Sequence, residues 1–151
     1  MPSGLLTHSP ADILSILLIN HGLGILPSGQ SNIDWSVFTD NEPNTPDKVI
    51  TVYNTTGRIN ARLQIGMVAE MHGIQVRVRS DLSTTGYTKA REIAIELDEQ
   101  VYQEYVTVDS TLYCVHSFSR IGDVIPLGTD SRTPTKRNIY TVNGLLIVTQ
   151  K

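Results

Sequence analysis

The chain has 151 residues, of which 40% are hydrophobic and 18% are charged, and its formal net charge is −3. A chain of this length can bury roughly 70% of its unfolded surface without disulfides or metals, so we expect a single domain over residues 1–151. The acidic balance excludes a general basic surface for nucleic acid or anionic membranes. Cys114 is the only cysteine, which excludes an intrachain disulfide.

The first predicted element is an apolar helix that begins at Ser9-Pro10. Ser9 can accept a hydrogen bond from a free backbone N–H, and Pro10 suits the first helical position. Asn20-His21-Gly22 is typical of a helix end with a left-handed cap. The run from Ile13 to Ile19 is too short to cross a membrane. A helix that is apolar on nearly every side is buried on more than one side, or it packs against a partner chain.

Residues 22–47 are rich in glycine and proline and are expected to be irregular. An apolar patch within them predicts a short strand or an anchoring turn, and it consists of Ile33, Trp35, Val37 and Phe38. Asp40, Glu42 and Asp47 lack the spacing of a calcium loop, so we interpret them as a solvated acidic turn. Residues 58–72 follow neither helical nor strand periodicity, and we expect a long loop that projects from the domain.

A strand followed by a helix forms the centre of the predicted fold. Gln75, Arg77 and Arg79 alternate with apolar residues, which indicates a half-buried strand. From Tyr87 to Val101 the apolar residues recur at three- and four-residue spacing, which predicts an amphipathic helix.

Three further strands are predicted around this centre. They are Val49–Tyr53, Thr111–Ser119 and Asn138–Val148, with Gly144 as a candidate bulge in the last. Residues 120–136 are expected to form an irregular loop. The predicted fold class is α+β: a mixed, mainly antiparallel sheet of about four strands packed against the amphipathic helix. The N-terminal apolar helix and the long projecting loop complete it.

No motif indicates catalysis or metal binding. His8, His21, His72 and His116 have no metal-ligand spacing. Cys114 and His116 share one strand face, but a thiol–imidazole catalyst also needs activation and a cleft, and a half-buried strand pair is the simpler interpretation. We therefore expect a protein that is not an enzyme, with no catalytic residues, no cofactor and no metal.

The order of four motifs resembles the tail terminator proteins of long-tailed bacteriophages, also called tail-to-head joining or minor capsid proteins. The first motif is an apolar helix that runs into a Gly-Leu-Gly turn, and the second is a Pro-Asp segment before a β-branched strand. The third is a Gln-Val-Arg-Val-Arg strand before a helix that opens with Tyr and Ala, and the fourth is a Leu-Gly-x-Asp turn before a closing Val-Asn strand. In this sequence they are Leu17–Gly24, Pro46–Gly57, Gln75–Ala90 and Leu127–Asn143.

This resemblance covers roughly residues 13–148 and implies a structural virion protein in the tail–neck region, made in the host cytoplasm. It implies a homohexameric ring that caps the tail tube, stops its polymerisation and joins the tail to the head–neck connector. The implied partners are further copies of the chain, the tail tube protein and a head-completion or neck protein. DNA only passes through the lumen, and no membrane is involved.

We assign the subunit or tube interface to six residues, because charged side chains stand beside apolar ones there without an intrachain explanation. They are Arg58, Arg62, Glu70, Gln75, Arg77 and Arg79. A solvent-facing strand side is the alternative interpretation of the last three. Alternative functions are another phage neck component, a cellular binding module, or an enzyme that uses Cys114 and His116.

Overall fold

The computed structural model describes residues 6–27, 34–62, 68–130 and 136–151, with residues 58–62 and 68–70 described by their backbone alone. These ranges contain two helices and one seven-stranded sheet. The elements in chain order are α1 (Pro10–Asn20), β1 (Ser36–Thr39), β2 (Val49–Arg62), β3 (Val68–Ser80), α2 (Ser83–Glu99), β4 (Tyr102–Val108), β5 (Thr111–Arg120), β6 (Ile125–Asp130) and β7 (Arg137–Gln150).

The sheet is organised around β7, the last strand in the sequence. The strand order is β1-β2-β3-β7-β5-β4, and β6 also pairs with β7. One edge of β7 pairs with β3, while its other edge pairs with β6 at the beginning of the strand and with β5 towards its end. Among the described strands, β1 and β2 form the one parallel pair, and the other pairs are antiparallel. The sheet curls into a half-barrel.

Helix α1 has the boundaries that its sequence predicts. The Ser9 side chain accepts a hydrogen bond from the Asp12 backbone N–H at 3.2 Å, and Pro10 is the first helical residue. Gly22 has a φ of +73°, a conformation that favours glycine and ends the helix. Leu14, Leu17 and four other residues of α1 are buried, so the apolar character of the helix is explained within the chain.

Helix α2 confirms the predicted amphipathic helix. Ala90, Ile93, Ala94 and Leu97 are fully buried, and they belong to the same apolar cluster as α1. The cluster also includes one face of β2, β3 and β7, so both helices pack on the same side of the sheet. We call this side the helix-covered face and the opposite side the helix-free face.

The predicted fold class is wrong, because the protein is mostly β, with seven strands instead of about four against a helix. The prediction did not include β4 and β6. β4 lies at the edge of the sheet, and β6 pairs only with β7 among the described strands. A marginal strand needs no alternating apolar pattern, because it buries little of either face. The apolar patch before Asp40 is a strand over Ser36–Thr39, while Ile33 lies outside the described residues.

The projecting loop predicted over residues 58–72 is also wrong, since its described parts are strands. β2 continues to Arg62 and β3 begins at Val68, and these two residues are paired. β1 pairs with β2 only as far as Val52, and β7 pairs with β3 only from His72. Residues 58–62 and 68–71 therefore form a two-stranded extension beyond the neighbouring strands, which we call the hairpin arm.

The irregular loop predicted over residues 120–136 contains β6, so this prediction is wrong for residues 125–130. A register shift between Pro126 and Gly128 interrupts the pairing of β6 with β7, and Gly128 has a φ of +90°. A glycine at a bulge permits this backbone conformation without steric cost. Residues 131–135 lie outside the described part of the chain.

Gly144 is required by packing, and the predicted bulge at this position is wrong. The register of β7 with β3 is continuous through Gly144, and the pairing with β5 runs without a shift from Ser117 to its last pair, Arg120 with Gly144. A Cβ atom on Gly144 would overlap the ring of Phe118, which lies directly over this position. An aromatic side chain thus covers the glycine backbone on the helix-covered face.

We predict that Gly144→Ala lowers the free energy of unfolding by about 1–3 kcal/mol, because the added methyl group displaces the Phe118 ring from a packed core. Urea denaturation measures this change, and the exposed neighbour Ser119→Ala serves as a control expected to stay within about 0.5 kcal/mol. Combining Gly144→Ala with Phe118→Leu should recover part of the loss. If the changes in unfolding free energy of the two single variants simply add in the double variant, that result would contradict a direct contact between residue 144 and the Phe118 ring.

Candidate assembly surface

The helix-free face is divided into a covered half and an open half. Residues 40–47, which we call the strap, cover the half that contains Arg79 and Arg137. The open half lies on the side of the hairpin arm. Its half-buried side chains include Tyr53, Gln75 and Asn143, which are neighbours across β2, β3 and β7.

Two fully buried guanidinium groups bind the strap to the sheet. Arg79 donates hydrogen bonds to the main-chain oxygens of Pro46 at 2.6 Å, Asn44 at 3.3 Å and Asp47 at 3.4 Å. Arg137 donates to the main-chain oxygen of Asn44 and to its side-chain oxygen at 3.1 Å. Both arginine side chains are 0% exposed. The strap forms no strand, so these donors satisfy carbonyl groups that lack sheet partners.

Carboxylates balance the buried arginine charges. Glu42 Oε1 lies 3.3 Å from Arg77 Nε, and Glu42 Oε2 lies 3.5 Å from Arg79 Nη1. Asp130 of β6 accepts a hydrogen bond from Arg137 Nη2 at 2.9 Å. The side chains of Glu42 and Asp130 are only 5% and 7% exposed. The prediction of a solvated acidic turn is therefore wrong for Glu42, whose buried carboxylate is paired with arginine as burial of charge requires.

An open cleft of about 660 Å³ lies between the strap and β6. It is lined by Glu42 of the strap, by Arg77 of β3, and by Leu127 and Thr129 of β6. Arg77 is the most exposed arginine of the cluster, with 28% of its side chain accessible. The cleft therefore combines an accessible guanidinium group with an exposed apolar side chain, because Leu127 is 51% exposed.

The open half is polar but carries little charge. Gln75 Nε2 donates a hydrogen bond to Asn143 Oδ1 at 3.1 Å across the β3–β7 pair. Leu145 and Ile147 continue the same side of β7, and both are half-buried. Such a surface, with apolar side chains among neutral polar ones, resembles the composition of the central part of a protein interface.

The structure brings only part of the predicted interface together. Gln75 and Arg77 lie on the helix-free face and are accessible, whereas the side chain of Arg79 is bound within the chain under the strap. The backbones of Arg58, Arg62 and Glu70 lie in the hairpin arm, and their side chains are outside the described residues.

The partners of these arginines are not evident from the sequence pattern. Glu42, Asp130 and Arg137 complete the cluster, although they come from the strap, β6 and β7. The sequence does contain one indication of such partners. Arginines in a central strand require carboxylate partners when they are buried, and this protein has two of them. The distance along the chain between Arg79 and Asp130 hides that pairing, because only the sheet order brings β6 beside β7.

Cys114 and His116 do not form a reactive pair. The Cys114 Sγ atom is 3.8 Å from His116 Nδ1, but the cysteine is only 2% exposed. Both imidazole nitrogens have other partners, Gln103 Oε1 at 3.0 Å and Thr149 Oγ1 at 2.9 Å. These contacts make the pair part of the β4–β5–β7 packing, as the half-buried interpretation describes.

The described ranges contain neither a cluster of metal ligands nor a membrane-spanning helix. They contain no group of three or more histidine, cysteine, aspartate or glutamate side chains arranged to hold a metal ion. Neither α1 nor α2 is long and apolar enough to cross a membrane.

We predict that Arg79→Met lowers the free energy of unfolding by roughly 3–5 kcal/mol, because it leaves Glu42 and the strap carbonyls buried without this cation. The matched control is Arg91→Met, which removes a half-buried arginine paired with the exposed Asp123 and should cost less than about 1 kcal/mol. Urea denaturation compares the two variants. Equal losses in both would show that the strap does not depend on Arg79.

Comparison with known families supports the resemblance seen in the sequence. Residues 17–124 match the family described as bacteriophage tail terminator protein. The match begins within α1, ends directly before β6 and covers well over half of the chain, although it is shorter than the range 13–148 inferred from the motifs. Among curated proteins, no relative matches. Tail terminators are structural components of the phage tail. The chain therefore belongs to the bacteriophage tail terminator protein family.

Proposed function

We propose that this chain assembles into a ring on the end of the tail tube, stops its polymerisation and joins the tail to the head–neck connector. The observation that carries this proposal is the family match over residues 17–124. We further propose that the ring is a homohexamer and that its partners are the tail tube protein and a head-completion or neck protein.

The shape of the subunit supports a head-to-tail assembly. The hairpin arm extends from one end of β2 and β3, whereas the strap and the cleft lie towards the other end of the same strands. A contact between two unlike surfaces repeats from one subunit to the next, and it forms a closed ring when its rotation closes. Two dissimilar ends on one subunit therefore favour a ring over a two-fold dimer.

The mechanism of capping is surface matching without a chemical step. One side of the ring reproduces the contacts of a tube layer and binds the last one. The other side lacks the self-complementary surface that would accept a further layer, so growth of the tube stops there. The DNA passes through the lumen without sequence-specific contacts, which is consistent with a net charge of −3.

We assign the contacts with neighbouring subunits or the tube to the hairpin arm and the open half of the helix-free face. On the arm the proposed residues are Arg58, Arg62 and Glu70. On the face they are Gln75 and Arg77. Arg79 has a different role, because its buried guanidinium fixes the strap that borders this surface.

The proposal predicts that Gln75→Lys abolishes capping while the subunit stays folded. A lysine in the centre of a neutral contact surface would be buried without a partner on assembly, which is strongly unfavourable. The free subunit tolerates the change, since Gln75 is partly exposed, and its stability should shift by less than about 0.5 kcal/mol.

The measurement is the length of tubes formed by purified tail tube protein in the presence of each variant, recorded by electron microscopy. Thr88→Lys is the matched control, because Thr88 is exposed on α2, on the opposite side of the sheet. Tubes should shorten with the natural protein and with Thr88→Lys, and should stay long with Gln75→Lys. Full capping by Gln75→Lys would remove the open half from the interface.

A further inference from the structure

His21 connects three elements that are distant in sequence. It follows the last residue of α1, its Nδ1 atom lies 2.8 Å from Glu96 Oε1 on α2, and its Nε2 atom lies 2.7 Å from Glu104 Oε1 on β4. The histidine side chain is 13% exposed, and the two carboxylates are 32% and 27% exposed. The imidazole ring therefore lies between two carboxylates in a partly buried position.

This geometry requires a proton on both ring nitrogens. A carboxylate only accepts hydrogen bonds, and a neutral imidazole has a single N–H group. Only the imidazolium ion donates to Glu96 and Glu104 at the same time. The C-terminal end of α1, where His21 lies, also favours a positive charge.

The end of α2 needs a cation from elsewhere. Its last turn contains Glu96, Asp98 and Glu99 and no basic residue, although the C-terminal end of a helix disfavours negative charge. Arg120 of β5 pairs with Asp98 at 3.1 Å, and His21 pairs with Glu96. Of these two cations, only histidine changes its charge near neutral pH.

Among the described residues, two charged groups act on the imidazole: Glu96 from α2 and Glu104 from β4. The last turn of α1 contributes no charged side chain. Burial alone would lower the pKa of His21, but the hydrogen bonds and charges of the two glutamates outweigh it and raise the pKa above its ordinary value of 6.5. A raised pKa stabilises the folded state fully below pH 6.5, and this contribution disappears as the pH rises through the raised value.

We propose that His21 is a pH-dependent clamp, which fastens the end of α1 to α2 and to the edge strand β4 when protonated and releases β4 when neutral. β4 is the element that responds, because it lies at the margin of the sheet and pairs with β5 alone. Elements with few partners open locally at a lower free energy than the sheet centre. The clamp is independent of ring formation and of the proposed capping function.

Hydrogen exchange of the full chain tests this clamp at about pH 6 and about pH 8.5, on either side of the expected transition. The comparison uses protection factors, which divide the intrinsic exchange rate at each pH by the observed rate and so correct for the effect of pH on exchange itself. We expect the protection of residues 102–108 to fall at the higher pH by on the order of tenfold for each unit by which the pKa is raised. The central strand β3 should keep its protection at both pH values.

Three variants separate the clamp from a general effect of pH. His21→Gln should give weak protection of β4 at both pH values, and His21→Lys should give strong protection at both, because lysine stays charged. His72→Gln removes a histidine from β3 and should leave the response of β4 unchanged. An unaltered pH response in His21→Gln, or an NMR titration midpoint of His21 below 6.5, would overturn the proposal.

Discussion

The contact between two buried arginines and the carbonyl groups of the strap determines the shape of the helix-free face. Arg79 and Arg137 satisfy the backbone oxygens of Asn44, Pro46 and Asp47, which belong to a segment that forms no strand. Without those donors the strap could not lie on a buried part of the sheet, because each unpaired carbonyl would cost free energy. The strap in turn forms one wall of the cleft and leaves the other half of the face open.

The two faces of the sheet therefore serve different purposes. The helix-covered face contains the apolar core, with α1 and α2 packed across β2, β3 and β7. The helix-free face has a polar, partly open surface and continues into the hairpin arm. This division suits the proposed role, in which a subunit that is stable by itself also offers surfaces to neighbours. His21 adds a connection on the helix-covered side that responds to pH without touching the assembly surface.

Patterns of buried residues made the core elements predictable from sequence. The cap at Ser9, the stop at Gly22 and the alternation around Arg77 each reflect a local physical requirement, and the structure has α1 and β3 accordingly. The hairpin arm and β6 were not predictable in the same way. The hairpin arm extends beyond the neighbouring strands, and β6 pairs with β7 alone among the described strands. Strands in such positions need no alternation of apolar and polar residues, so the sequence does not distinguish them from loops.

The candidate site was predictable only in part, because its residues meet through the sheet order. Gln75 and Arg77 stand out as polar positions in a central strand, and the structure leaves both accessible. The same pattern in the sequence cannot distinguish Arg77 from Arg79, which the strap buries completely. The family itself was recognisable from the order of the motifs, and the family match over residues 17–124 contains the first three of them.

Electron microscopy of phage particles assembled without this protein tests the central claim most directly. Loss of a terminator should yield overlong tubes that carry no heads, because nothing stops the addition of tube protein. Tails of normal length beside empty or leaking heads would contradict termination and assign the protein to head completion. Normal infectious particles would contradict any required role in joining the tail to the head.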